Sequence, residues 1–186
     1  ILGQLKEQTK LVDIIGLCDV WDGNDVAKRG LYYSAKKVGL DAEGKDKDRI
    51  TKDYRKLLDN KDIDVVLVAT PDHWHAKMCD DAMNAGKDVY CEKPMTHTID
   101  EARKLVETVA RTKQVFTVGV QSTADPRWRE ANNQITQGKI GKVLQGQTSY
   151  YRNSDVGQWR YYPLTKDMTP KTVDWKMFLG TEFGLA

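Results

Sequence analysis

Short apolar runs alternate along the chain with longer segments in which apolar residues return every three or four positions. Residues 12–20 read as a strand. Residues 63–70 read as a buried strand, because β-branched side chains dominate and charge is nearly absent. Residues 88–92 form a short third run and 115–120 a fourth. Helical patterns lie between them. Residues 75–85 carry apolar side chains at helical spacing and stop at Gly86, a favourable helix end. Thr98-Ile99-Asp100-Glu101 has the form of a capping box, in which threonine and glutamate satisfy each other's free amides. The helix it opens runs to about Arg111, with Ala102, Leu105, Val106 and Val109 on one face.

Strand-helix alternation implies parallel strands joined by right-handed crossovers. The predicted fold class is therefore α/β, with a doubly wound parallel sheet. Residues 39–48 are charged, contain Gly39 and Gly44, and read as an exposed loop. After Gln121 the character changes. Residues 127–137 read as a helix closed by Gly138 and residues 142–151 as a strand; the remainder is rich in Trp, Tyr and Arg. The chain thus divides into a first domain at 1–121 and the start of a second at 122–186.

Composition narrows the function classes. A net charge of +2, with basic residues scattered rather than striped, argues against nucleic acid as a partner. No apolar run approaches the roughly 20 residues that span a bilayer, so no membrane partner is expected. The expected location is the cytoplasm, or outside it if a leader precedes Ile1. Cys18, Cys79 and Cys91 are odd in number and form no Cys-x-x-Cys, which argues against a disulfide framework and a zinc site.

In an open parallel sheet, ligands bind beyond the carboxyl ends of the strands, so each exit is a candidate. The first ends at Asp19. A carboxylate there accepts hydrogen bonds from ribose hydroxyls and repels a 2′-phosphate, favouring NAD over NADP; a turn aspartate is the plainer reading. The second ends at Thr70-Pro71-Asp72-His73-Trp74-His75. Thr70 and Pro71 make a tight turn beside a cofactor. Asp72, His73 and His75 invite a metal reading, but histidines two apart entering a helix need not converge, and no metal is expected. Instead, one histidine is expected near the nicotinamide end and the other at the helix cap. The third strand ends at Glu92-Lys93-Pro94. Pro94 ends the ladder and leaves Lys93 aimed at the binding edge, where an amine can exchange a proton with a substrate hydroxyl. Glu92 can orient or balance it. The fourth strand leads to Gln121, which can bond a polyol or a carboxamide or serve as a polar turn residue. The glycine-rich turn that seats a pyrophosphate on a helix N-terminus is not found, and residues 1–7 read as the middle of the helix that follows such a turn.

These residues together resemble the Gfo/Idh/MocA oxidoreductase family (glucose-fructose oxidoreductase, inositol dehydrogenase and relatives). The resemblance is carried by Asp19, Asp53-Tyr54-Arg55-Lys56-Leu57-Leu58-Asp59, the run 63–75, and Glu92-Lys93-Pro94 with 98–102. Gly138-Lys139-Ile140-Gly141-Lys142-Val143 and the stretch 174–180 add to it. It implies a Rossmann domain for NAD(P) at 1–121 and, from 122, the beginning of an α+β substrate and oligomerisation domain with an antiparallel sheet. It implies a catalytic and substrate-binding role for Lys93. It also places Asp19, Thr70, Pro71, His75, Glu92, Lys93 and Gln121 around the cofactor, and makes a homo-oligomer the expected assembly. Arg152, Trp159 and Arg160, in an aromatic and basic stretch, are candidates to hold a sugar ring, with core or subunit interface as the alternatives. Three functions follow as expectations. The first is NAD(P)-dependent oxidation or reduction of a sugar, polyol or sugar derivative. The second is NAD-dependent glycoside cleavage through transient oxidation. The third is cofactor binding without catalysis.

Overall fold

The computed structural model describes residues 11–151 and 164–185. Two compact units divide these residues. One contains residues up to Val118 together with those from 164 onward; the other begins at Gly119. The predicted helix around residues 1–7 lies outside the described residues, as do Arg152, Trp159 and Arg160.

In the first unit, β1 (Leu17–Cys18) pairs in parallel with β2 (Ile50–Thr51). β3 (Val65–Val68) pairs in parallel with β4 (Asp88–Glu92), and β4 neighbours β5 (Phe116–Gly119). Helices connect the strands: α1 (Leu31–Val38), the single turn α2 (Arg55–Leu58), α3 (Asp72–Asn84) and α4 (Ile99–Thr112). This is the parallel α/β architecture that the alternating pattern predicts.

The reasons for each element are local. β3 is four aliphatic residues between Asp64 and the Thr70-Pro71 turn. α3 starts after Pro71, whose fixed φ of -59° suits a helix entry. α4 starts at Thr98, which accepts from the Glu101 amide while the Glu101 carboxylate accepts from the Thr98 amide, the complete capping box. One core holds these elements together. Val68, Ala76, Cys79, Ala82, Met83, Val89, Cys91 and Leu105 are buried against one another. Asp80 of α3, buried, accepts from Thr108 of α4 at 2.6 Å and pairs with Lys104 at 2.7 Å.

Around β1 the arrangement differs. The tail 164–185, which the sequence assigns with the rest of 122–186 to a second domain, packs in the first unit. The Asp22 amide donates to the Thr172 carbonyl, the Asp174 amide donates to the Val20 carbonyl, and Asn24 donates to Asp167 at 2.6 Å. Trp21, Ala27 and Val173 form a small second cluster. The loop leaving β1 crosses itself at Gly23 and Gly30. Both have positive φ, and a side chain on either would run into the backbone of the other segment.

In the second unit, α5 (Pro126–Thr136) is capped by Asp125, which accepts from the Arg127 amide. The strand predicted at 142–151 is corrected: those residues have no strand geometry and are exposed. Alternation supplies half of a strand, and a hydrogen-bonded neighbour must supply the other half; no such neighbour is present among the described residues.

Candidate active site

The site edge is set by the register of β3 and β4. Val65 lies opposite Asp88 and Val68 opposite Cys91. Carried two residues further, the same offset brings Thr70 level with Lys93. The two turns are then joined by a side chain. His75, on the first turn of α3, has Nε2 at 2.9 Å from the Thr70 carbonyl and Nδ1 at 2.5 Å from the Pro94 carbonyl. The Lys93-Pro94 peptide is cis. Lys93 itself is exposed, with no ion-pair partner among the described residues. Glu92 is half-buried beside it.

Thr70 carries a second indication. Its Oγ1 is buried with no hydrogen-bond partner among the described residues. A buried hydroxyl left without a partner costs about 1–3 kcal/mol, so a polar group that reached it would be welcome. The position is the end of a parallel strand followed directly by a helix N-terminus, where this class of sheet takes its ligands.

Asp19 ends β1. Its amide donates to the Thr51 carbonyl, extending the pairing with β2, and its Oδ1 accepts from the Trp21 amide at 3.0 Å. Burial pushes the Asp19 carboxyl up from its ordinary value, against the Trp21 amide and the Lys52 ammonium, which pull it down. Beside it the Cys18 thiol is pushed up to about 12 by burial and by the charges of Asp19 and Asp53, so Cys18 is a neutral hydrophobe in this strand.

The histidines are redistributed relative to expectation. Neither caps α3, whose N-cap is Pro71 without a side-chain bond. His73 Nε2 instead donates to the Phe178 carbonyl at 2.9 Å, and the buried Trp74 donates to the same oxygen at 2.9 Å. The segment α6 (Trp175–Leu179) is thereby tied to α3. His75 is only 1% exposed and spends both ring nitrogens on backbone carbonyls. It therefore positions the site's turns and offers no nitrogen to a ligand. Among the described residues no three metal-ligating side chains converge.

Gln121 follows β5 in the second compact unit and is exposed. Sequence reasoning passed over Lys52, whose ammonium bridges Asp22 at 2.7 Å and the Thr172 carbonyl at 3.2 Å. It also gave Cys79 and Cys91 no part in the site, though Cys91 faces His75 and Cys79 lies against Cys91. No periodicity marks either feature, since both depend on contacts distant in sequence.

For NAD the residues present fit. Asp19 offers an acceptor at one strand end, Thr70 a hydroxyl without a partner among the described residues past the next, and Lys93 an exposed amine past a third. No helix among the described residues is long and apolar enough to cross a membrane.

Comparison with known proteins agrees with the fold. Residues 22–120 match the oxidoreductase family with an NAD-binding Rossmann fold, Gfo/Idh/MocA. An alpha-N-acetylgalactosaminidase of Shewanella oneidensis is 32% identical over 122 residues, which are 61% of this chain and 27% of that protein. The chain thus spans about a quarter of the length of the curated relatives it matches. Among solved structures, an NAD-binding oxidoreductase from Klebsiella pneumoniae aligns with a TM-score of 0.56 and 25% identity, over 75% of this chain and 35% of that one. The myo-inositol 2-dehydrogenase of Lactobacillus plantarum aligns with a TM-score of 0.58 at 24% identity, over 72% of this chain and 36% of that one, and shows the shared fold.

Proposed function

The chain belongs to the Gfo/Idh/MocA oxidoreductase family, and on that premise we propose that the whole protein oxidises or reduces a sugar, polyol or sugar derivative with NAD. One observation carries the reading: Thr70, whose buried hydroxyl has no partner among the described residues, and the exposed Lys93 each lie two residues past the last paired positions, Val68 and Cys91, of neighbouring parallel strands. Bound NAD supplies the acceptor or donor of a hydride. The chain's own residues do the rest. Asp19 accepts from ribose hydroxyls and disfavours a 2′-phosphate. Thr70 Oγ1 gains the bond it lacks. Lys93, as the neutral amine at Nζ, takes the proton of the substrate hydroxyl as the carbinol carbon is oxidised, and the resulting ammonium returns it in the reverse direction. Gln121 is proposed as a further polar contact to cofactor or substrate, and Arg152, Trp159 and Arg160 as sugar contacts.

The test is Lys93→Met in the whole protein. A general acid–base group contributes about 10²–10⁴ in rate, so kcat should fall by at least about a hundredfold with the cofactor still bound. Retention of turnover within about tenfold removes Lys93 from proton transfer.

A second reading is favoured by the curated relatives, which are glycosidases by name. In it the same oxidation is transient and serves to break a glycosidic bond, after which the hydride returns. Product analysis separates the two. Sugar cleavage without accumulation of reduced cofactor supports the second; stoichiometric reduced cofactor supports the first.

A further inference from the structure

We propose that His75 is a positioning residue that stands doubly protonated between the carbonyls of Thr70 and Pro94 and so fixes the spacing of the two turns that carry the site. Its bearing on turnover rests on the reading of Thr70 and Lys93 given above; the protonation itself does not.

The argument starts from the inventory of an imidazole. A neutral ring has one N–H and one bare nitrogen. Here each nitrogen faces a carbonyl oxygen, at 2.9 Å and 2.5 Å. A bare nitrogen in either place would set lone pair against lone pair. Only the imidazolium, with two N–H groups, satisfies both acceptors. Water cannot take over either bond, because the ring is 1% exposed, and bonds in so dry a place are strong when made and costly when missing.

The surroundings support the charge. From β4, Cys91 faces the ring; from α3 itself, Cys79 hydrogen-bonds Cys91, with Glu92 and Asp80 as the nearest further charges on the two sulfurs. The two turns contribute only the carbonyls of Thr70 and Pro94. Burial works against a cation here, but Cys91 and the two carbonyls outweigh it and push His75 up to about 9. Cys79 and His75 pull the Cys91 thiol down from its ordinary value, against burial and the charge of Glu92, while Cys79 is itself held above the ordinary range; Cys91 Sγ lies 3.3 Å from the Glu92 carbonyl, to which its thiol form donates.

The consequence is mechanical. Thr70 and Lys93 sit on different strands, and the pairing of β3 with β4 ends at Val68 and Cys91. Beyond that point the backbone ladder no longer fixes the separation of the two turns. The imidazolium replaces it, reaching from one turn to the other across a single ring.

Nitrogen-15 NMR on the histidine-labelled chain tests the charge. Only His73, His75 and His97 are present. At about pH 8, where an ordinary histidine is neutral, one ring should show two protonated nitrogens, and that signal should vanish in His75→Gln. Three rings that each show one bare nitrogen at that pH overturn the proposal. NAD titration tests the positioning role. A glutamine side chain carries its donors on one nitrogen at its tip and would reach one carbonyl only, so His75→Gln should bind NAD at least about tenfold more weakly. His73→Gln, at a ring whose hydrogen bond goes to Phe178, should bind as the parent does. Equal affinity in His75→Gln overturns the positioning role. If the whole protein binds no NAD, the functional reading falls, and the NMR result still decides the protonation.

Discussion

Around β3, β4 and β5 the chain closes a continuous apolar core, whereas around β1 and β2 it depends on hydrogen bonds with a segment some 120 residues away, as between the Lys52 ammonium and the Thr172 carbonyl. The first region has strands of four and five residues, two flanking helices and buried Leu105, Met83, Val89 and Cys91. The second has strands of two residues and a cluster of three buried side chains, Trp21, Ala27 and Val173. Both carry candidate cofactor residues, Thr70 and Lys93 in the first and Asp19 in the second. The difference teaches that the half expected to do chemistry is set by packing, which is cooperative. The half expected to grip the ribose is set by a few hydrogen bonds, which open one at a time.

The contrast can be broken most directly at Leu105. Leu105→Ala leaves a cavity under α3 and should cost about 2–5 kcal/mol of global stability in urea unfolding. Val173→Ala in the smaller cluster should cost clearly less, and equal losses would erase the distinction between the regions. Next in size is Asp80→Asn. Burial alone would push the Asp80 carboxyl up, but the hydrogen bonds of Lys104 and Thr108 outweigh it and hold it below the ordinary range. A depressed folded value means that the stabilisation is fully present above the unfolded value of about 3.9. It is then lost as pH falls through the folded one. Because Lys104 is largely exposed, the loss in Asp80→Asn at neutral pH should be modest, about 1–2 kcal/mol, and the variant should lose part of the parent's acid sensitivity. A stability–pH curve identical to the parent's would remove this pair from the stronger region's support.

The smallest effect is expected at Lys52. Its pair with Asp22 is about one-third exposed on both sides, so Lys52→Met should change global stability by no more than about 1 kcal/mol. Hydrogen exchange should nonetheless quicken at the Asp22 and Asp174 amides, which bind the tail to the β1 loop. Unchanged exchange there, or a large global loss, would show that the second region is as cooperative as the first.

What could be read in the sequence follows the same division. β4 was legible to the residue at 88–92, and the α4 start was legible through Thr98 and Glu101, because strand pattern and capping box are local. The exit of β3 and the place of Lys93 just past β4 were legible, since an apolar run ending in Thr70-Pro71 and another ending in Lys93-Pro94 mark two strand ends. β2 was not, because two residues carry no periodicity. The return of residues 164–185 to the first unit rests on Asn24 meeting Asp167 and Asp22 meeting Thr172, and nothing near either partner announces the other. The role of His75 was half legible. Its place at the entry to α3 is in the sequence, but the second acceptor, the Pro94 carbonyl, arrives only when β3 and β4 pair.

The carbonyl of Phe178, which accepts from both His73 and Trp74, gives the chain an optical readout of its own. Trp74 is 2% exposed, edge-on to Tyr54 and Phe183, so its indole emits from a dry, apolar box whose lid is the tail. Any event that lifts α6 strips the indole N–H of its acceptor and admits solvent to the ring, and the emission then moves to the red and becomes open to dissolved quenchers. In a variant that keeps Trp74 and carries Phe at the other four tryptophan positions, 21, 128, 159 and 175, docking of the tail can therefore be followed in real time by intrinsic fluorescence, with no label added near the cofactor edge.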